Sequence, residues 1–154
     1  MKGDSYFIKG HNMLKVLTIH ELQLGQSASS TKTITDQDVR LFAEVSGDNN
    51  PVHLDEAYAQ TTMFKGRIVH GALVASLFSK ILGTQLPGFG TIYLGQESRF
   101  MKPVRLNETI TATVTVVEII AEKNRLKLET IARNAAGEVV VSGFATVLAP
   151  KAEN

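Results

Sequence analysis

The stretch from Gly71 to Leu82, GALVASLFSKIL, is apolar on nearly every face and carries one charge, Lys80. A helix of that composition has no wet side to offer and is expected to be buried on all sides. At about 1.5 Å per residue it is roughly 18 Å long, which matches the width of several strands lying across it. Gly83 stands where a C-terminal cap is wanted. The second half of the chain supplies the strands, over 91–104, 108–123, 125–134 and 138–148. Thr alternates with Ile, Ala and Val through 109–116, and Leu126 and Leu128 alternate with Lys127 and Glu129, so each strand has a wet and a dry face. Asn134 to Gly137 supplies a turn between the last two. The economical arrangement is α+β, an antiparallel sheet curled around one buried central helix, because each then hides the other's apolar surface.

Ahead of that helix, SASSTKTI after Gly25 is rich in Ser and Thr and reads as a short edge strand. Thr35 has the character of a helix N-cap, with Asp36 and Asp38 in the first turn, where the dipole favours negative charge. Val39, Phe42 and Ala43 follow at helical spacing, and Leu41 and Val45 broaden the side expected to be buried. The helix should end near Ser46 and Gly47, since glycine suits a left-handed C-terminal residue. In DNNPVHLD, Pro51 lacks an amide hydrogen and pushes Asn50 towards an extended conformation, which predicts a fixed loop rather than a helix. A short helix follows over about 55–60, and Gly66 punctuates the chain after it.

The 154 residues, 44% hydrophobic and 20% charged, suit one domain with a sizeable core and leave no room for a second. The expected division is an N-terminal extension over 1–17, to which the sequence gives no function, a single domain over 18–150 and a tail over 151–154. Lys and Arg outnumber Asp and Glu by 16 to 15, too small an excess to neutralise nucleic acid or an acidic membrane. Cysteine is absent, which excludes disulfides, thiolate metal sites and a cysteine nucleophile. The first residues hold no secretory apolar stretch and no run is long enough to span a bilayer, so a soluble, cytoplasmic protein is expected.

The densest cluster of functional groups is SGDNNPVHLDEAYA, with Asp48, Asn49, Asn50, His53 and Asp55 around Pro51. Asp and Asn there can simply satisfy turn amides. An imidazole and a carboxylate on a stiffened loop shortly before a buried helix also suit proton exchange, with His53 titrating near neutrality and Asp48 accepting a proton or orienting water. Adding water to an enoyl thioester needs such a pair, and a donor for the charge developing on the thioester oxygen. The amide at the start of the buried helix, at His70-Gly71, is a natural donor, and glycine lets a ligand approach the backbone; close packing of the helix end would equally explain it.

SGDNNPVHLDEAYA, FKGRIVHGALVASLFSKILG and LPGFGTIYLGQESRFMKPVRLNETI together resemble the MaoC-like family of (R)-specific enoyl-CoA hydratases, and also mitochondrial 3-hydroxyacyl-thioester dehydratases. The likeness spans about residues 20–149, and G-D-x-N-P-x-H is its specific signature. It implies a hot-dog fold and a homodimer whose sheets join edge to edge. It further implies no metal or other cofactor, and syn hydration of trans-2-enoyl thioesters of coenzyme A or acyl carrier protein to the (R)-3-hydroxyacyl product. By the same resemblance Asp48 and His53 are the catalytic pair holding the water, the Gly71 amide binds the thioester oxygen, Ser79 supports Asp48 through a hydrogen bond and Asn50 shapes the site. Ser76, about 140° round the helix from Gly71, is expected to face the sheet.

Other readings compete. Asp48, His53, Asp55 and His70 match none of the specific metal-motif spacings. His11 and His20 read as surface residues and His70 as a brace for the helix start. Gly88-Phe89-Gly90 lacks the third glycine and the helix of a dinucleotide fingerprint and reads as a turn. Neither Ser76 nor Ser79 lies in a G-x-S-x-G elbow. The remaining alternatives are a hot-dog thioesterase and a catalytically silent acyl-thioester binding or dimerisation protein, and the adjacent Asp48 and His53 favour hydration over both.

Overall fold

Alternation in the second half of the chain produces the expected sheet. The computed structural model describes residues 5–6 and 14–152. Its strands are β1 (Ser5–Tyr6), β2 (Leu14–Lys15), β3 (Ser27–Thr33), β4 (Ile92–Phe100), β5 (Thr109–Ile120), β6 (Arg125–Arg133) and β7 (Val139–Leu148). The last five form one antiparallel sheet in the order β3-β5-β6-β7-β4, and β1 pairs with β2 separately. Ile110, Ala112, Val114 and Val116 of β5 and Leu126, Leu128 and Ala132 of β6 fill the inner face. Thr130 sits fully buried in that row, where the Gln96 side-chain amide satisfies its hydroxyl at 3.0 Å. On the outer face the β3 and β5 hydroxyls pair across the strands, Ser29 with Thr113, Thr31 with Thr111 and Thr33 with Thr109, at 2.7–2.9 Å.

Among the described residues are five α-helical segments: α1 (Asp36–Ser46), α2 (Pro51–Leu54), α3 (Glu56–Thr61), α4 (Gly71–Ala75) and α5 (Leu77–Thr84). Helix α5 touches β5 and also β3 and β4 at the two edges, so the sheet curls around it. Phe78, Ile81 and Leu82 are at most 1% exposed. Each such side chain contributes roughly 1.5–3 kcal/mol by leaving water. Among the described residues no helix is long and apolar enough to cross a membrane.

The ends of α1 follow from its sequence. Thr35 accepts from the Asp38 amide at 3.2 Å while Asp38 accepts from the Thr35 amide at 2.8 Å, which closes a capping box. Gly47 is left-handed at φ 78° and returns its N–H to the Ala43 carbonyl.

Elsewhere the structure departs from the expectations. Leu41 and Val45 are 54% and 84% exposed, so the buried side of α1 is the narrower row through Val39 and Ala43. The region after Pro51 is a helical turn rather than a loop: Asn50, at φ −53° and ψ 124°, is kept out of the helical region, and its side chain caps Val52 while Pro51 takes the first helical position, where no amide hydrogen is needed. The single helix expected over 71–82 is two segments meeting at Ser76, whose hydroxyl turns back to the Leu73 carbonyl at 2.6 Å. Gly83 lies inside α5 rather than capping it, and the cap is Gln85. Ala72, Ser76, Ser79 and Lys80 are exposed, so the helix is not buried on all sides and Ser76 lies on its open face instead of facing the sheet. Val16 and Leu17 are buried, Val16 bridging to Gly88, so packed chain begins ahead of residue 18; residues 1–4 and 7–13 of the expected extension, including His11, lie outside the described residues.

Candidate active site

The Gly47 reversal delivers Asp48 to a segment that local side-chain bonds hold in place. Ser46 accepts the Asp48 amide at 3.1 Å, and the Asp48 carboxylate accepts the Asn50 amide at 3.2 Å. The Asn50 side chain, expected to shape the site, caps α2, which carries His53. The Nδ1 nitrogen of His53 lies 2.8 Å from the Ile68 carbonyl. A carbonyl only accepts, so Nδ1 bears the hydrogen and Nε2 is left as the basic atom. Arg67 ties this turn to α1, donating from Nε to the His53 carbonyl at 2.7 Å and from Nη2 to Asp36 at 2.5 Å.

His70 belongs to the same cluster; the sequence grouped it with Asp48 and His53 only as a possible metal ligand and otherwise made it a brace for the helix start. It occupies the N-cap of α4 without capping through its side chain. Its ring is 2% exposed, stacks on His53 with centroids 3.8 Å apart, meets Phe42 at 4.8 Å, and donates from Nε2 to the Asp48 main-chain carbonyl at 3.0 Å. Sequence spacing gave no sign of this, since His53 and His70 lie on different elements. His20 is exposed, as expected of a surface residue.

Burial is the main cause holding His53 below the ordinary imidazole value, with the His70 ring and the Arg67 guanidinium acting in the same direction. The hydrogen bond to Ile68 and the Asp48 carboxylate oppose them. The site therefore presents a neutral base beside an exposed carboxylate. Asp48, His53 and His70 each offer a ligand atom within 4.8 Å of the others. A metal fits them poorly: imidazole lone pairs lie in the ring plane, and two rings stacked at an interplanar angle of 28° direct them side by side instead of at one point.

Gly71 follows His70 directly, and a Cβ there would sit 2.8 Å from the Phe100 ring. It lines an apolar pocket of about 430 Å³ together with Phe64, Ile68, Ala72, Phe100 and Met101. Asp48 and His53 are not among the pocket's walls; they reach the same segment through the Ile68 carbonyl and the His70 ring. The expected Ser79–Asp48 hydrogen bond is not formed among the described residues, and Ser79 lies on the exposed helix face.

Known proteins resemble this chain in sequence and fold. The family described as MaoC like domain matches residues 20–139. An (R)-specific enoyl-CoA hydratase of Rhodospirillum rubrum is 50% identical over 130 residues, 84% of this chain and 90% of the relative. A 3-hydroxybutyryl-CoA dehydratase of Methylorubrum extorquens is 41% identical over 140 residues, 91% of this chain and 88% of the relative. The structure of an unliganded R-hydratase from Pseudomonas aeruginosa superposes with a TM-score of 0.85 at 47% identity, covering 90% of this chain and 89% of that one. The α+β hot-dog fold expected from the resemblance is thus the fold adopted. With the match spanning the capped helix, the Asp48–His53 turn and most of the sheet, this chain belongs to the MaoC-like domain family.

Proposed function

We propose that this protein is an (R)-specific enoyl-CoA hydratase, a hydro-lyase that reversibly adds water to trans-2-enoyl thioesters. The observation that carries the reading is the clustering of His53, whose Nδ1 is engaged by Ile68 and whose Nε2 is left as the basic atom, with Asp48: a ring nitrogen of the one and a carboxylate oxygen of the other lie within 4.8 Å. Two hydrogen bonds of about 2.8 Å from one water span such a gap. In this reading the water oxygen bonds to C3 while its proton passes to the pair, the C2=C3 electrons move towards the thioester carbonyl, and a proton returns from the pair to C2 on the same face. Hydroxyl and hydrogen thus add syn, and no metal is required. The Gly71 amide would bind the thioester oxygen, as the resemblance implies.

A homodimer is part of the proposal. Ile92, Leu94 and Phe100 of edge strand β4 are 45–59% exposed, an apolar edge of the kind that a second copy covers. Coenzyme A is the carrier named by both curated relatives, with acyl carrier protein as the alternative. The test follows loss of the conjugated enoyl band with crotonyl-CoA and longer homologues, while a thiol reagent follows release of coenzyme A. Loss of the band without thiol release is expected; thiol release with the band intact would replace hydration by thioester hydrolysis, and neither change would leave a binding protein.

A further inference from the structure

His70 is buried at the centre of the site, yet the reaction outlined above gives it nothing to do. Its Nδ1 atom is buried without a hydrogen-bond partner among the described residues. An unsatisfied nitrogen there is unfavourable, and a phenyl ring would fill the slot between Phe42 and His53 without that cost. The imidazole is therefore held for what Phe cannot supply, its Nε2–H. That hydrogen goes to the carbonyl of Asp48. The other bonds of Asp48 are local: its amide reaches Ser46 and its carboxylate reaches Asn50, each two residues away. Residues 47–50 belong to no helix or strand, so the His70 bond is what ties Asp48 to a separate element of the fold. His53 has a complementary need. One hydrogen bond, from Nδ1 to Ile68, fixes an edge of its ring and leaves it free to tilt about that bond. The His70 face stacked at 3.8 Å blocks the tilt.

We propose that His70 is a positioning residue of the hydration site: one ring holds the Asp48 main chain through Nε2 and the His53 ring by stacking, and so sets the gap in which the water is bound. The proposal rests on the assignment of Asp48 and His53 as the catalytic pair. It does not require His70 to touch substrate or exchange a proton.

The test is a double-mutant cycle in hydration kinetics, using the full chain in its native assembly with circular dichroism as the folding control. His70→Phe keeps the stack and removes the donor. It should lower kcat about tenfold or more while KM stays within about threefold, because the interaction acts on the reacting geometry and not on binding. His70→Gln offers a donor at similar reach and should recover part of the loss. In an Asp48→Asn background, adding His70→Phe should change kcat by less than about twofold, because the carboxylate it positions is already gone. A His70→Phe enzyme with near-normal kcat, or a loss that multiplies in full with that of Asp48→Asn, overturns the proposal. If His70→Phe does not fold, His70→Gln enters the cycle in its place, and it too must lose kcat and be non-additive with Asp48→Asn. The two failures are distinguishable: an active Asp48→Asn enzyme removes the catalytic pair and this proposal with it, whereas an inactive Asp48→Asn beside a normal His70→Phe removes this proposal alone.

Discussion

Asp48→Asn and His53→Gln alter little beyond the atoms that exchange protons. Each is expected to keep the fold and to lower kcat by roughly a hundredfold or more, read in the enoyl assay with native-like circular dichroism. A variant with near-normal kcat would be struck from the mechanism. Since burial, aided by His70 and Arg67, outweighs the Ile68 bond and the Asp48 carboxylate, His53 stays neutral to lower pH than a free imidazole. The acid limb of kcat/KM for hydration should therefore lie below the ordinary imidazole value, and a limb at or above it would contradict His53 as the base. Stability has the same sign. Above the ordinary value His53 is neutral in both states and contributes no pH dependence. As pH falls below it the unfolded chain binds the proton first, and stability is lost until the depressed folded value is passed. Prolonged chelation and dialysis should leave activity intact, and recovery of lost activity by a divalent ion would restore a metal to the site. Asp48 and His53 were legible because their chemistry and their stiffened segment are contiguous in sequence. The stack of His70 on His53 was not, because it is made by two elements meeting in space.

Local chemistry explains which elements could be read. The Thr35 cap and the Gly47 reversal depend on residues within a few positions of each other, and both formed as expected. Pro51 shows the limit of the same reasoning: one residue without an amide hydrogen suits either a loop or the first turn of a helix, and the Asn50 cap decides for the helix. Gly83 offers a direct check. Were it a left-handed cap, Gly83→Ala would be destabilising. It lies within α5, and an added Cβ meets nothing within 4 Å, so the substitution should instead stabilise by about 0.5–1 kcal/mol. Urea unfolding measures the sign, and a lower midpoint would return Gly83 to a capping role.

For the whole molecule the question is what covers β4. The composition of 91–104 announced a strand but could not reveal that its large side chains stay exposed in the protomer, since that depends on the strand's place at the end of the sheet. Sedimentation should give a homodimer, and an active monomer would contradict the proposed pairing. Leu94→Asp, at a position 45% exposed, should leave the protomer folded and shift the equilibrium towards monomer by placing a charge in the covered edge. A dimer as tight as the parent would place the interface elsewhere. The opposite end of the sheet is built differently. In β3 the sequence SASSTKT offers one small apolar side chain, the hydroxyls of Ser29, Thr31 and Thr33 are already paired with those of β5, and Lys32 is engaged by Asp38. A sheet whose ends were both adhesive would polymerise, each copy exposing a fresh template for the next. In the proposed homodimer, two-fold pairing through β4 would consume the adhesive end of both copies and leave hydroxyl-lined ends pointing outward, so growth would terminate after a single addition.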